Sequence, residues 1–232
     1  MIISIASTKG GVGKSVTALQ IATYLLTQEG KKVFLIDADA QRTSYLSTYI
    51  RGQRIDAFPK LPSEVILGGE EVYKAALEKN KEYDYVVIDV GGRDTGALRG
   101  AILASDKVII PMRANSADIW AVTNDLIPII EEARKQGGKF DAYLFLSQMH
   151  ARPTKNEREA VNYLSANGFE GLIYIDARLT DRVAFADGQS IGSSVCELKP
   201  KDVKACVEVK LLVKETVFAK AKAKPKAKTK AK

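Results

Sequence analysis

Short apolar runs that end in glycine or acidic residues alternate with longer stretches of mixed polarity along this chain of 232 residues. The first run, Met1 to Ser7, stops at a glycine-rich loop, and apolar positions then recur at helical spacing from Lys14 to Gln28. Lys31 to Asp39 reads as the next buried strand and closes on two aspartates. A polar helix is expected near Ser44 to Arg51, followed by a segment with Pro and Gly and a helix near Glu70 to Lys79. Tyr83 to Gly92 and Asp106 to Met112 supply a third and a fourth strand, and Asp118 to Lys135 a helix that Pro128 could kink. Phe140 to Gln148 is a fifth strand, Asn156 to Asn167 a helix closed by Gly168, and Gly171 to Ile175 a sixth strand. A short helix near Thr180 to Ala186 and a longer one near Lys201 to Phe218 finish the body; Val203, Val207, Leu211 and Phe218 are its expected core-facing positions. Such alternation predicts an α/β fold, a doubly wound and mostly parallel sheet with helices on both faces. Without an internal repeat or linker, the expectation is one domain over 1–218 and a tail over 219–232.

Charge changes that picture only at one end. The chain has 35 basic and 28 acidic residues, and the segment from Ala219 to Lys232 holds seven lysines and no acid. Removing those seven leaves 28 basic residues against 28 acidic ones, so the body is neutral. Alternating Ala and Lys buries no apolar area, and disorder is expected there. The segment reads either as a solubilising end or as a polycation for nucleic acid or an anionic lipid surface. No apolar run approaches the roughly 18 residues of a membrane helix. Met1 to Ser7 has no basic flank or cleavage site, so no export signal is expected. Cys196 and Cys206 are accordingly expected as reduced thiols. His150, the only histidine, leaves little material for a multi-histidine metal site.

Ligands of open α/β sheets bind beyond the carboxyl ends of the strands. Those ends carry "TKGGVGKS", "DADAQRT", "DVGGRD" and "PMRANSAD", which together suggest a nucleotide site. Gly10, Gly11 and Gly13 allow a tight turn whose N–H groups, with those of Val12 and Val16 and the positive end of the following helix, face phosphate oxygens. Lys14 is placed to neutralise β- and γ-phosphates, and the Ser15 hydroxyl to bind Mg²⁺ directly. The common pattern G-x-x-x-x-G-K-[ST] is not strictly met, because Thr8 and Lys9 stand where its first glycine belongs. Asp37 and Asp39 alternate along a strand end, and their side chains diverge unless the strand stops between them. They suit magnesium-bound water or orientation of an attacking water, and equally a turn or a helix cap. Asp89 stands where a carboxylate near the metal is expected, and Gly91 and Gly92 read as a mobile loop able to sense a γ-phosphate. Ser116 and Asp118 fit a helix cap as well as a site.

"KGGVGKS" resembles the deviant phosphate-loop signature of the ParA/MinD ATPases, with a lysine just before the glycine pair. "FLIDADAQRTS" resembles the family's D-x-D-P-Q segment, with Ala40 for the proline. "YDYVVIDVGG" is similar to the segment ending D-x-P-P, with glycines for both prolines. "RLTDRVAFADGQSI" matches a late motif of the family. The resemblance implies a P-loop NTPase fold, ATP and Mg²⁺ as ligands, and hydrolysis of ATP to ADP and phosphate. It also implies a role for Lys9, reaching across a two-fold interface to phosphates held by the other subunit of an ATP-sandwich homodimer. Asp39 then resembles the water-activating aspartate, with Lys9 and Lys14 as its cationic partners and Asp37 near the metal.

ParA relatives bind DNA nonspecifically as ATP dimers, and MinD relatives bind membrane through a C-terminal amphipathic helix. Arg182, Lys199, Lys201, Lys204, Lys210 and Lys214, followed by Lys220, Lys222 and Lys224 of the tail, favour DNA over membrane by composition. A cytoplasmic, nucleoid-associated ATPase stimulated by a ParB-like or cargo-adaptor protein is what the resemblance implies. The phosphate loop lies so near the first residue that no helix-turn-helix domain, and no control of its own promoter, is expected. The alternatives are a metabolic P-loop enzyme that activates a small substrate and a DNA-bridging protein with a degenerate ATP site.

Overall fold

The computed structural model describes residues 1–54, 58–93 and 95–220. Its centre is a seven-stranded sheet in the order β3 (Ser63–Val65), β2 (Val33–Ala38), β4 (Tyr85–Val90), β1 (Ile2–Ile5), β5 (Lys107–Met112), β6 (Asp141–Met149), β7 (Ile173–Thr180), and every pairing in it is parallel. The central strands β1, β2, β4 and β5 are buried almost throughout. That burial explains why they are rich in Val, Ile and Leu, since both faces of a parallel sheet must be covered. One face is packed by α1 (Lys14–Thr27), α8 (Val183–Ser190) and α9 (Val203–Thr216), and α2 (Thr43–Gly52) lies against α1 and α8. The other face carries α3 (Gly69–Lys79), α4 (Gly96–Ala104), α5 (Ser116–Ala121), α6 (Ile127–Lys135) and α7 (Lys155–Asn167).

Two elements that no sequence pattern announces complete this frame. The edge strand β3 (Ser63–Val65) is only three residues long and follows Pro62, a composition that blunts an edge and carries no apolar pattern. The helix α4 contains Gly96 and Gly100, which lower helix propensity. It forms because the Thr95 side chain caps it, accepting from the N–H of Leu98 at 3.2 Å, and because its glycines allow close contact with α3: a Cβ on Gly100 would lie 2.0 Å from the Gly69 carbonyl.

Several boundaries also move. β6 (Asp141–Met149) is followed, after α7, by β7 (Ile173–Thr180), an edge strand in which exposed Asp176 and Arg178 alternate with buried Ala177 and Leu179. The short helix therefore starts at Val183 rather than Thr180. The helix expected from Asp118 starts at Ser116 and passes through a π turn, Val122–Leu126, just before Pro128. Wider helical turns of this kind accommodate a proline that can neither donate nor tolerate the carbonyl four residues back.

The inward face of α9 is also corrected. Ala205, Val209, Leu212 and Val213 are buried, whereas Val203, Val207, Leu211 and Phe218 are between 41% and 66% exposed. Both stripes carry apolar residues at helical spacing, so periodicity alone could not choose between them. Cys196 and Cys206 are not free thiols: the loop before α9 folds back until their Cα atoms stand 5.0 Å apart, and they form a disulfide.

Candidate functional site

Beyond the carboxyl ends of β1, β2 and β4 lies a cleft of about 770 Å³, whose walls include Gly10, Lys14, Asp39, Gly92, Gln148 and Gln189. Its floor is the loop between β1 and α1. Gly11 and Gly13 sit at φ 71° and 86°, a region open to glycine, and no side chain caps α1. The first-turn N–H groups and the positive helix end are thereby left for an anion. Buried Val12 gives its carbonyl to the Ser147 hydroxyl of β6 at 2.7 Å, which pins the loop to the sheet. Ser15 and Val16 line the same cleft.

The two lysines behave differently. Lys14 is buried, and its Nζ donates to the carbonyl of Lys9 at 2.9 Å, tying the end of the loop to its beginning. Burial lowers its pKa, and the nearby Asp89 and Asp39 carboxylates oppose that shift. Lys9 contributes only backbone groups, its N–H donating to the Ser7 hydroxyl at 3.2 Å; its ammonium has no hydrogen bond or ion pair among the described residues.

Strand β2 ends at Ala38, between the two aspartates: Asp39 lines the cleft, whereas Asp37 is buried near Asp89 and is not among the cleft walls. Asp37 is fully buried and accepts from the N–H groups of Asp39 at 3.0 Å and Tyr45 at 2.8 Å; burial nevertheless raises its pKa. Half-buried Asp39 accepts from the Gln41 N–H at 3.0 Å and faces Gly91. Asp89 lies deepest. Burial pushes its carboxyl up to about 7, against the lowering pull of the Ser44 hydroxyl, which donates to Oδ2 at 2.5 Å. Its buried Oδ1 makes no hydrogen bond of normal geometry among the described residues, and the nearby Ser15 hydroxyl adds to the lowering pull. An under-satisfied carboxylate oxygen beside a lysine and an N–H cradle suits a cation–polyphosphate pair. No three His, Cys, Asp or Glu side chains converge as a direct ligand set among the described residues. The carboxylates therefore do not make a metal centre by themselves. They suit Mg²⁺ that takes its other oxygens from phosphate and water, as that ion prefers.

Gly91 and Gly92 are placed by packing. A Cβ on Gly92 would lie 2.9 Å from Gly10 Cα and 3.2 Å from Lys14 Nζ, so this loop rests on the phosphate loop. A proline at position 92 would collide with it. Asp118 is structural: it is buried, accepts from Arg113 at 3.0 Å, and the cap of α5 is Asn115 rather than Ser116.

Sequence reasoning missed Ser44, Ser147, Gln148 and Gln189. Gln148, at φ 54°, lies near the end of β6, and Gln189 lies on α8; both also border a smaller adjoining pocket of about 170 Å³ shared with Gly13 and Val16. The strand-end rule could have found Gln148, whereas Gln189 carries no sequence signal. Of the basic residues singled out, Lys199, Lys201, Lys204, Lys210, Lys214 and Lys220 are exposed. Arg182 is not available with them: its guanidinium donates to Glu208 at 2.7 Å and lies 3.9 Å from Asp202. Lys222 and Lys224 lie outside the described residues.

The family model described as the CobQ/CobB/MinD/ParA nucleotide binding domain matches residues 3–202. The chromosome-partitioning ATPase Soj of Thermus thermophilus is 28% identical over 156 residues, 57% of this chain and 62% of that protein. The chain thus matches less than two thirds of that relative's length. Protein ParA of Rhizobium radiobacter is 24% identical over 205 residues, covering 86% of this chain and 87% of its own length. Among solved structures, an ATP complex of a Cyanothece McdA variant superposes with a TM-score of 0.74 at 17% identity, over 96% of this chain and 98% of that one, a likeness of fold.

Proposed function

The chain belongs to the CobQ/CobB/MinD/ParA nucleotide-binding family, and from that premise we propose that it is an ATP-driven partition switch. In this reading residues 1–218 bind ATP and Mg²⁺ and dimerise around two nucleotides. The dimer binds DNA without sequence preference, and a cargo adaptor stimulates hydrolysis to ADP and phosphate. The Gly10–Val16 loop holds the phosphates, Lys14 neutralises them, and Ser15, Asp37 and Asp89 hold the ion, in part through water. Bound Mg²⁺ supplies charge neutralisation at the phosphate oxygens. Asp39 orients the attacking water and takes its proton while the bond from the γ-phosphorus to its bridging oxygen breaks and ADP departs.

The observation that carries this reading is the division of labour between the lysines. Lys14 is committed to its own loop, while the Lys9 ammonium has no partner among the described residues. A cation that completes a site in trans makes association depend on the triphosphate charge. Loss of the γ-phosphate then weakens the dimer. The relatives named for chromosome partitioning, and the lysines exposed along α9, support DNA as the surface engaged. Asp39→Ala is the test: it is expected to accumulate an ATP-dependent dimer on random-sequence duplex with turnover lost. Rapid turnover by that variant would move the catalytic role away from Asp39.

A second reading is favoured by one feature only. The outward stripe Val203, Val207, Leu211 and Phe218, bordered by Lys204, Lys210 and Lys214, also suits an anionic membrane. Co-sedimentation with anionic vesicles, compared with duplex binding, separates the two surfaces.

A further inference from the structure

The second helix is built inside out. Its inward positions Ser44, Ser47, Thr48 and Arg51 are polar and buried, and each is satisfied. Ser44 donates to Asp89, Ser47 donates to the Thr43 carbonyl at 3.1 Å, and Thr48 and Ser63 share a hydroxyl contact of 2.5 Å. Arg51 donates to Glu197 at 2.8 Å, to the Gly192 carbonyl at 2.9 Å and to the Pro59 carbonyl at 2.7 Å. Its outward positions are apolar: Leu46, Tyr49 and Ile50 are 53%, 58% and 39% exposed. Spaced i, i+3 and i+4, they form one contiguous patch. A surface helix of a lone domain shows the reverse pattern, and the hydrogen-bonded inner face needs none of these three side chains.

Charge selects the occupant. Arg42 and Arg54 border the patch, both exposed and without an ion pair among the described residues, and α2 contains no acidic residue. A second copy would bring the same arginines if α2 met α2, or the exposed lysines of α9 if it met that stripe. Like charges facing each other disfavour both arrangements. We propose that this face docks a protein segment presenting an apolar row bordered by carboxylates, and that its occupancy is coupled to the cleft. The coupling runs through the first turn of α2, where the Ser44 hydroxyl holds Asp89 and the Tyr45 N–H holds Asp37. Only this coupling rests on the nucleotide reading of the cleft; the docking surface does not.

The probes are two labelled helical peptides that share one Leu/Ile row at helical spacing, one flanked by Glu and the other by Lys. Anisotropy with the full chain is expected to show the Glu peptide binding at least about tenfold tighter, the scale of a complementary charge pair. Leu46→Ser with Ile50→Ser should weaken that binding about tenfold or more while thermal unfolding stays near wild type, because both side chains are exposed. Arg42→Glu with Arg54→Glu should reverse the preference between the peptides. ATP with Mg²⁺ should change the Glu-peptide affinity in wild type and leave it unchanged in Lys14→Ala. If ATP fails to bind at all but the peptide results hold, the docking surface stands and the coupling falls. Equal binding of the two peptides, indifference to Leu46→Ser with Ile50→Ser, or self-association through this face in sedimentation overturns the proposal.

Discussion

Lys9 and Lys14 occupy the two ends of one loop, and their different contacts translate into different losses on substitution. Lys14→Ala removes the buried cation nearest Asp89 and Asp39. ATP affinity should fall about 10- to 100-fold, the worth of a charge-assisted contact of about 1.5–3 kcal/mol, and equilibrium binding of a labelled ATP analogue measures it. Lys9→Ala removes an ammonium without an internal partner among the described residues, so ATP should still bind while sedimentation with ATP and Mg²⁺ shows monomer only. A normal dimer from Lys9→Ala would refute action in trans. Asp89 gives a pH-dependent outcome. Its carboxyl stands at about 7 in the folded protein against 3.8 unperturbed. Below pH about 4 the group is protonated in both states and contributes nothing. As pH rises from about 4 to about 7 the unfolded chain ionises it while the folded chain keeps the proton, so nucleotide-free stability declines and then levels off. A shift of about three pH units corresponds to about 4 kcal/mol. Burial of Asp37 adds a shift of the same sign. Urea unfolding between pH 5 and 8, without nucleotide, should show Asp89→Asn with a flatter slope.

At the scale of elements, α9 distinguishes a packed stripe from a free one. Leu212→Ala cuts into the core and should cost about 2–5 kcal/mol, whereas Leu211→Ser should stay within about 0.5 kcal/mol, as exposed substitutions do; thermal denaturation of the pair measures both. Reduction of the Cys196–Cys206 bridge should also destabilise, by about 2–3 kcal/mol for so short a loop, with Ser substitutions matching the reduced protein. The central strands and α1 were legible because burial on both sheet faces forces runs rich in apolar residues, and the loop between them because its glycines and Lys14 are contiguous. β3 was not legible, since three residues of an edge carry no periodicity. α4 was hidden by glycines that serve contact with α3 rather than helix formation. The cleft residues that the sequence singles out, Gly10, Gly11, Gly13, Lys14, Ser15, Val16 and Asp39, sit just beyond the ends of apolar runs. Ser44, Ser147 and Gln189 reach the site only through tertiary packing, and α2 reads simply as polar because its burial is satisfied by hydrogen bonds instead of apolar contact.

At the scale of the whole molecule, the cleft and the start of the lysine-rich end lie at opposite ends of the strands. All paired strands run parallel, and the cleft lies beyond their carboxyl ends. Ala219 is held at the other end: its carbonyl accepts from Nζ of Lys107, the first residue of β5, at 3.0 Å. Lys107 also donates to Tyr143 at 3.0 Å and pairs with Asp141 at 3.3 Å, so the departure point of the tail is fixed by a buried polar cluster. A polycation leaving there can add phosphate contacts without touching the bound nucleotide. Truncation after Lys220 keeps the Ala219 contact and removes six of the seven terminal lysines. If those lysines meet phosphates, affinity for random-sequence duplex should fall, and the slope of log affinity against log salt should flatten by about 0.9 for each phosphate that is no longer neutralised. The ATP dependence of binding should survive, because the proposed function assigns it to the body and the dimer rather than to the tail. Fluorescence anisotropy at several salt concentrations, with and without ATP, measures both effects. An unchanged slope would make the tail a bystander. Loss of the ATP dependence on truncation would instead mean that the terminal lysines fold back to the cleft edge, against the placement of Ala219.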